Sequence, residues 1–275
     1  MKLLVYSLIV CLGPISCLAQ TFKKKQILIP LDNSIGVPFH KEVEVNDFYV
    51  NGFEIDDNGN FYFLGGDKAL CLAVFSGSKL KYRKIYKEIP LDTYQLYLSK
   101  DTLYTFNSLP PNKIFAINPS NGLIIKNYES MVSEKVNSYN FEENHLIIQS
   151  LGSSDIIYNQ YTLTGKLARQ GINRYNLPFT IPVNTEFLGM WNDQFVFYTI
   201  SGKNLDKQEF FITDRSGKVL TSRFLPNTNL IFGNGYAEDP AEDRKVRNGN
   251  LYVLGRKGKF ALITEIPLQS LFGPH

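Results

Sequence analysis

Four carboxylates are placed where they could act together in catalysis. Glu54, Asp92, Glu142 and Glu186 each lie near the beginning of one of several similar sequence units. If those units form a ring, their first strands lie innermost and the carboxylates converge at its centre. A retaining glycoside hydrolase needs two carboxyl groups about 5 Å apart. These residues are therefore the candidate catalytic residues of a hydrolase acting on a sugar or a lactone.

A long charged stretch, residues 233–247, is the main candidate for binding. It accounts for the widest spacing between units, and long loops on a rigid scaffold often have a function. The alternative is a solvent-exposed loop whose opposite charges neutralise each other. The residues that would bind a partner or a cation are Glu238, Asp239, Glu242, Asp243 and Arg244.

A third pattern resembles a calcium loop. Asp56, Asn58 and Asn60 have the 1-3-5 spacing of such a loop. However, the sixth position is Phe61 where glycine is expected, and the twelfth is Asp67 where a bidentate glutamate is expected. The pattern therefore favours a hairpin turn, and we predict no metal site and no cofactor.

Other potentially reactive residues have structural explanations. Segment 189–193 resembles the acidic motif of five-bladed glycoside hydrolases, but Asp193 occupies a position that corresponding units fill with turn residues. Cys71 lies in an apolar strand without a nearby histidine, which predicts a buried structural thiol. The histidines lack metal-ligand spacing, and the sequence contains no Gly-x-Ser-x-Gly nucleophile elbow.

The composition is that of a globular protein. Of 275 residues, 44% are hydrophobic, including 20 Phe and 16 Tyr. This composition suffices for a full core and excludes disordered and collagen-like classes. The formal net charge is only +3, well short of the basic excess typical of nucleic-acid-binding proteins. We expect a monomer that does not bind nucleic acid.

The first twenty residues have the three parts of a secretory signal. Lys2 supplies the positive charge, a mostly apolar run follows, and Cys17-Leu18-Ala19 offers small residues before the cleavage point. We predict a signal peptide over 1–19 and a single domain over 20–275, exported to the periplasm or the extracellular space. A lipoprotein acylated at Cys17 and an uncleaved anchor are the alternatives. The apolar run is shorter than the about 20 residues of a membrane-spanning helix.

One pattern recurs five times: a polar turn pair, then an apolar anchor, then a strand. The anchors are Phe61, Leu103, Leu146, Phe195 and Leu251, spaced 42, 43, 49 and 56 residues apart. The turn pairs are Asn58-Gly59, Lys100-Asp101, Glu143-Asn144, Asn192-Asp193 and Asn248-Gly249. A second turn follows in the first four units, at Gly77, Gly122, Gly165 and Gly217.

Four antiparallel strands on such a period are typical of a β-propeller blade. We therefore predict an all-β propeller of four-stranded blades, with five blades favoured and six possible if residues 32–50 add strands. The fifth unit lacks one strand, and residues 25–31 could pair beside the C-terminal strand, closing the ring and hiding two open sheet edges. An irregular β-sandwich is the alternative.

Two units resemble blades of secreted bacterial β-propellers of the NHL/TolB-like superfamily. They are FEIDDNGNFYFLGG, residues 53–66, and KVRNGNLYVLGRKGKFALITEIPL, residues 245–268. The superfamily includes peptide- and protein-binding modules, lactonases and other hydrolases, and scaffolds. The resemblance implies a propeller, usually of six blades, and no single function.

The leading functional hypothesis is an exported, non-enzymatic binding or scaffold module. It would hold a protein, peptide or glycan partner on one propeller face. The alternative is the hydrolase with carboxylates at the central channel. Two or more carboxylates in a pocket at the ring axis would favour the enzyme, and an apolar patch on one face would favour the binding module.

Overall fold

The chain is an all-β propeller built of four-stranded antiparallel blades. The computed structural model describes residues 24–42, 47–91, 93–107, 113–129, 138–142, 145–151, 156–162, 166–170, 177–179, 185–201, 207–226 and 244–273. The predicted residues 1–19 of the signal peptide lie outside these ranges. The alternative of an irregular β-sandwich is wrong, because the strands form separate four-stranded sheets.

The first strands of the described chain are β1 (Lys25–Pro30), β2 (His40–Glu42) and β3 (Asp47–Tyr49). Four sheets then consist of four consecutive strands each. Sheet I contains β4 (Gly52–Ile55), β5 (Asn60–Gly65), β6 (Leu70–Ser76) and β7 (Lys79–Tyr86). Sheet II contains β8 (Thr93–Ser99), β9 (Thr102–Asn107), β10 (Lys113–Ile117) and β11 (Ile124–Glu129). Sheet III contains β12 (Ser138–Glu142), β13 (His145–Leu151), β14 (Ile156–Thr162) and β15 (Leu167–Gln170). Sheet IV contains β16 (Thr185–Trp191), β17 (Gln194–Ser201), β18 (Lys207–Thr213) and β19 (Val219–Pro226).

Sheet V is composite. It contains β20 (Arg244–Arg247), β21 (Asn250–Lys257) and β22 (Phe260–Pro267), and its fourth strand is β1. The register of β1 on β22 runs from Lys25 opposite Glu265 to Pro30 opposite Phe260. Among residues 32–42 and 47–50, which the structure describes, the strands are the short β2 and β3, which form their own two-stranded sheet.

A short helix, α1 (Leu268–Phe272), follows β22 and was not anticipated from the sequence. It buries Leu268, Leu271 and Phe272 against sheets IV and V. Among the described residues, no helix has the length and apolar character needed to cross a bilayer.

The hairpin turns lie where the repeat predicts them. Asn192, Asp193, Asn248 and Gly249 all have positive φ, as two-residue hairpin loops require. The first turn differs from the prediction, because only Gly59 of the Asn58-Gly59 pair has positive φ, at 73°. There the Asp56 carbonyl accepts the Gly59 amide at 3.0 Å, closing a longer turn in place of a two-residue one. The pair 143–144 lies outside the described residues.

The innermost strands of neighbouring sheets lie side by side. β4 contacts β8 on one side and β20 on the other, β8 also contacts β12, and β20 contacts β16. At the β4–β8 junction the backbones meet directly, since the Gln95 amide donates to the Asn51 carbonyl at 2.6 Å. A Cβ on Gly52 would lie 2.7 Å from the Gln95 carbonyl carbon, so this approach requires glycine.

The hydrophobic core lies between the sheets. One cluster joins sheet I to sheet V and includes Phe53, Phe63 and Ile263, a second joins sheets I and II, and a third joins sheet IV to sheet V and α1. A sheet in this position buries both faces, which explains why β5 is buried at every position.

Two tyrosines of β7 connect sheet I to the β10–β11 turn of sheet II. Tyr82 donates from its hydroxyl to the Pro119 carbonyl at 2.6 Å, and Tyr86 donates to the Gly122 carbonyl at 2.8 Å. Burial raises the pKa of both phenols above the usual value of 10.0. The protonated form that makes these hydrogen bonds is therefore retained in the folded state at high pH.

The raised pKa values predict a loss of stability in alkali. Above pH 10 the unfolded chain ionises its tyrosines first, so each buried tyrosine lowers the free energy of unfolding by up to about 1.4 kcal/mol per pH unit. Tyr86→Phe should make this slope shallower while costing about 1 kcal/mol at pH 7, because the Gly122 carbonyl loses its donor. Urea unfolding between pH 7 and 11 measures both quantities. Identical alkaline slopes for the variant and the wild type would contradict the assignment.

Candidate functional site

Three of the four candidate carboxylates lie at different positions relative to the anchors of their units. Measured against the anchor of each unit, Glu54 pairs one residue beyond Phe61, whereas Glu186 pairs three residues beyond Phe195. Glu142 pairs one residue before Leu146. At about 3.3 Å per residue, successive levels differ by roughly 7 Å. Counted from the anchors, the strand register therefore places these three carboxylates at three different levels, whereas a catalytic pair needs two at one level.

Glu54 lies at the centre, where the innermost strands of three sheets meet. Glu54 is only 2% exposed. One carboxylate oxygen accepts the Ile55 amide at 2.9 Å, and the other accepts the Leu98 amide of β8 at 3.3 Å. The second oxygen also lies 3.6 Å from the Lys245 ammonium of β20. Both oxygens are thus held by groups of the protein, and we call Glu54 with Lys245 the axial ion pair.

Lys245 reaches Glu54 because the two residues occupy the same level. Lys245 pairs with Tyr252, one residue beyond the Leu251 anchor, as Glu54 pairs one residue beyond Phe61. A carboxylate buried without a partner would be strongly unfavourable, whereas one that is paired and hydrogen-bonded is tolerated. The axial ion pair consequently links sheets I, II and V.

Arg247, two residues further along β20, strengthens the same link. Its guanidinium donates to the Leu98 carbonyl at 3.3 Å and lies 3.9 Å from the Asp57 carboxylate. Beside it, the Asn248 side-chain amide donates to the Asp57 carbonyl at 2.6 Å. The hairpin turns of sheets I and V are therefore joined near the centre of the propeller.

Arg244 was predicted from the sequence to lie in a loop, and that prediction is wrong. It is the first residue of β20 and is 2% exposed. Its guanidinium lies 4.0 Å from the centroid of the Tyr198 ring, the distance of a cation–π contact. Burial raises the pKa of Tyr198, the Arg244 charge opposes that shift, and Glu186 adds to it. The last four residues of the predicted loop over 233–247 therefore belong to strand β20.

The remaining candidates are only partly described. Of Glu142, the structure gives the strand position at the end of β12. The other predicted site residues lie outside the described ranges; they are Asp92, Glu238, Asp239, Glu242 and Asp243.

The calcium-like pattern forms a hydrogen-bonded turn. One oxygen of Asp56 accepts the amides of Asn58 and Asn60, at 2.9 and 2.8 Å. The other accepts the Asn60 side-chain amide at 2.6 Å and the Tyr62 hydroxyl at 3.0 Å. Within the part of the chain that the structure describes, no group of three or more His, Cys, Asp or Glu is placed to hold a metal.

The remaining potentially reactive residues, Asp193 and Cys71, have structural roles. Asp193 lies in the β16–β17 turn with positive φ and pairs with Arg215 at 3.0 Å on the surface. Cys71 is a buried free thiol on β6, and burial raises its pKa. A raised pKa reduces the thiolate fraction and thus the reactivity of the sulfur.

The two ends of the propeller differ in their connections. The innermost strands begin at one end of the propeller, which we call the entry face. They finish at the other end, which we call the exit face and which holds the tight turns that follow these strands. At the entry face the segment after β1 folds back on itself, with the Val37 amide donating to the Pro30 carbonyl at 2.8 Å. Ile35 at its tip is 69% exposed, and the nearby Phe260, opposite Pro30, is 42% exposed.

Lys245 was not predicted from the sequence to be a central residue. The signal was present in the repeat, because Lys245 precedes its anchor by six residues and Glu54 precedes its anchor by seven. The difference of one residue comes from the longer turn after Ile55. An alignment allowing for that turn would have placed both charges at one level.

Comparisons with known proteins give loose structural likeness only. No family model matches the chain, and no curated protein matches it. BamB from Moraxella catarrhalis is 12% identical, with 88% of this chain and 97% of that chain covered and a TM-score of 0.35. Glutaminyl cyclase from Myxococcus xanthus is 11% identical, with the same two coverages and a TM-score of 0.47. A protein of unknown function from Bacteroides caccae is 11% identical over 85% of this chain and 84% of that chain, with a TM-score of 0.37.

Breaking the axial ion pair should destabilise the fold. Lys245→Met leaves the Glu54 carboxylate buried without its cation, and we expect the free energy of unfolding to fall by about 3 kcal/mol. Adding Glu54→Gln should recover part of that loss, because the uncompensated charge is then removed. Denaturant unfolding of the single and double variants measures the coupling.

The matched control is Lys257→Met, which changes an exposed lysine of β21 in the same sheet. Its effect should stay within about 0.5 kcal/mol, as for most surface substitutions. If Lys245→Met costs no more than this control, the axial ion pair is not a stabilising contact.

Proposed function

We propose that this protein is an exported, non-enzymatic binding module that holds a protein partner on its entry face. The observation that supports this most directly is that the Glu54 carboxylate is buried and fully engaged by groups of the protein. Glu54 is buried, accepts two backbone amides and pairs with Lys245. A general acid or nucleophile must reach its substrate, and Glu54 is committed to contacts within the protein.

The register of the innermost strands supports the same conclusion. Counted from the anchor of its own unit, Glu186 pairs two residues further along than Glu54, and Glu142 pairs two residues less far. A hydrolase would need two carboxyl groups at one level facing a shared cavity. No observation in the described residues favours the hydrolase over the binding module.

The entry face offers suitable chemistry for a protein partner. Ile35 and Phe260 are large apolar residues exposed at this end of the propeller. The segment holding Ile35 is fixed by the Asp32 carboxylate, which accepts the Ser34 and Ile35 amides at 2.6 and 3.1 Å. A rigid apolar contact favours association, because little conformational entropy is lost on binding.

We further propose that sheet V is the fifth blade of one closed ring, with β1 as the closing strand. The contacts of β4 with β8 and β20, and of β20 with β16, support this arrangement. Ile27 and Ile29 of β1 pack in the cluster between sheets I and V. Closure would also cover the open edge of β22.

Deleting residues 20–31 tests the closure. Loss of two buried isoleucines removes about 3–6 kcal/mol, and 1 kcal/mol shifts Tm by about 2–4 °C in a domain of this size. We expect Tm to fall by roughly 10 °C or more. A synthetic peptide of residues 24–31 added in trans should restore Tm, whereas a scrambled peptide should not. An unchanged transition after deletion would exclude β1 as the closing strand.

The proposed docking face is tested with the double variant Ile35→Ser/Phe260→Ser. The protein is exported with a tag, and the partner retained from the cell envelope is quantified. We expect retention to fall at least tenfold with little change in Tm, since both residues are exposed.

The matched control is Leu123→Ser/Val219→Ser, which removes two apolar residues of similar exposure, 52% and 54%, beside turns of the exit face. This variant should retain the partner as the wild type does. Loss of the partner in the control, with retention in the entry-face variant, would assign docking to the opposite face.

A further inference from the structure

The outer edge of sheet I is an open strand. β7 is the last strand in the sheet order and pairs only with β6. The other side of β7 therefore presents backbone N–H and C=O groups that no strand of the described chain pairs with. Such an edge can accept an added strand from another chain.

This edge also holds much of the positive charge of the protein. Residues 79–87 include five of the 29 lysines and arginines and no acidic residue, so the 26 acidic residues outnumber the other 24 basic ones. The basic residues are Lys79, Lys81, Arg83, Lys84 and Lys87. Within the described part of the chain, none of them is within ion-pair distance of a carboxylate.

The strand is held firmly on both faces. Tyr82 and Tyr86 bond to the β10–β11 turn on one side. On the other, Arg83 donates to the carbonyls of Gly36 and Asn33, both at 2.8 Å. These contacts fix β7 while leaving its edge open, and they join it to the entry-face segment that holds Ile35.

We propose that the edge of β7 binds an acidic, extended segment of the partner protein, which adds to sheet I as a fifth strand. Residues opposite each other on neighbouring strands lie about 4.5–5.5 Å apart, so acidic side chains on the added strand would face the lysines. Lysines on an edge strand oppose pairing with apolar or basic strands. They favour an acidic strand by charge complementarity.

An extended polypeptide fits this edge better than a polyanion does. A polyanion would use only the lysine charges, whereas an added strand also satisfies the backbone groups of β7. The exposed Ile85, in the same strand, offers an apolar contact that a polyanion would not use. This inference rests on the proposed function, since it assigns a second contact to the same protein partner.

The probe is a fluorescein-labelled nine-residue peptide of alternating glutamate and valine, measured by anisotropy against the full chain at two salt concentrations. We expect saturable binding with one peptide per protein that weakens as salt is raised. The same peptide with N-methyl groups on alternate amides keeps its charge and loses its strand edge. It should bind at least tenfold more weakly.

The variant Lys79→Gln/Lys81→Gln/Lys87→Gln removes three exposed charges from the edge and should weaken peptide binding at least tenfold. The control changes three exposed lysines elsewhere and should bind as the wild type does. Its substitutions are Lys68→Gln, Lys218→Gln and Lys257→Gln.

Three results would overturn the inference. Equal binding of the methylated and unmethylated peptides would indicate a surface that attracts any polyanion. Equal losses in the two lysine variants would indicate an effect of net charge. No binding at all would indicate that the lysines only protect the edge. In each case, partner retention lost specifically through Ile35 and Phe260 would still support the proposed function, so the two failures are distinguishable.

Discussion

One buried negative charge constrains the centre of this propeller. The Glu54 carboxylate lies where β4, β8 and β20 meet, and each of these strands supplies one of its partners: Ile55, Leu98 and Lys245. Burial of a charge is tolerated only when such partners are in place. A shift of β20 by one residue would turn Lys245 to the opposite side of its strand. The axial ion pair therefore couples the register of sheet V to that of sheets I and II.

Around this centre, apolar packing between sheets supplies the cohesion. Phe53, Phe63 and Ile263 belong to a cluster between sheets I and V, and equivalent clusters lie on the next junctions. Sheets I and V each have two faces packed in these clusters, so neither would be stable without its neighbours. That requirement explains why the C-terminal strands recruit β1 from the other end of the chain, whose Ile29 is fully buried.

The repeat pattern predicted the strands and most turns, because turn chemistry is local. Asn248-Gly249 adopts the positive φ values that its residues favour. Features that depend on distant partners were not predictable in the same way. Arg244 follows an acidic stretch and was predicted to lie in a loop, yet it begins β20, where its guanidinium contacts the Tyr198 ring. The partner of its neighbour Lys245 is Glu54, which is 191 residues away in the sequence. Likewise, α1 has only five residues and no side-chain cap, so its local sequence gives no signal for a helix. It is stabilised by burial against sheets IV and V.

The lysines of this protein have two roles, which depend on whether the side chain is buried or exposed. Lys245 is mostly buried beside a buried carboxylate, where its charge is committed to the fold. The lysines of β7 lie on an open edge, where surface charges contribute little to stability. Charges of that kind influence which partners can approach and how fast they associate. The two regions proposed for recognition, the edge of β7 and the entry face, are joined by the hydrogen bonds from Arg83 to the carbonyls of Asn33 and Gly36, which flank Ile35.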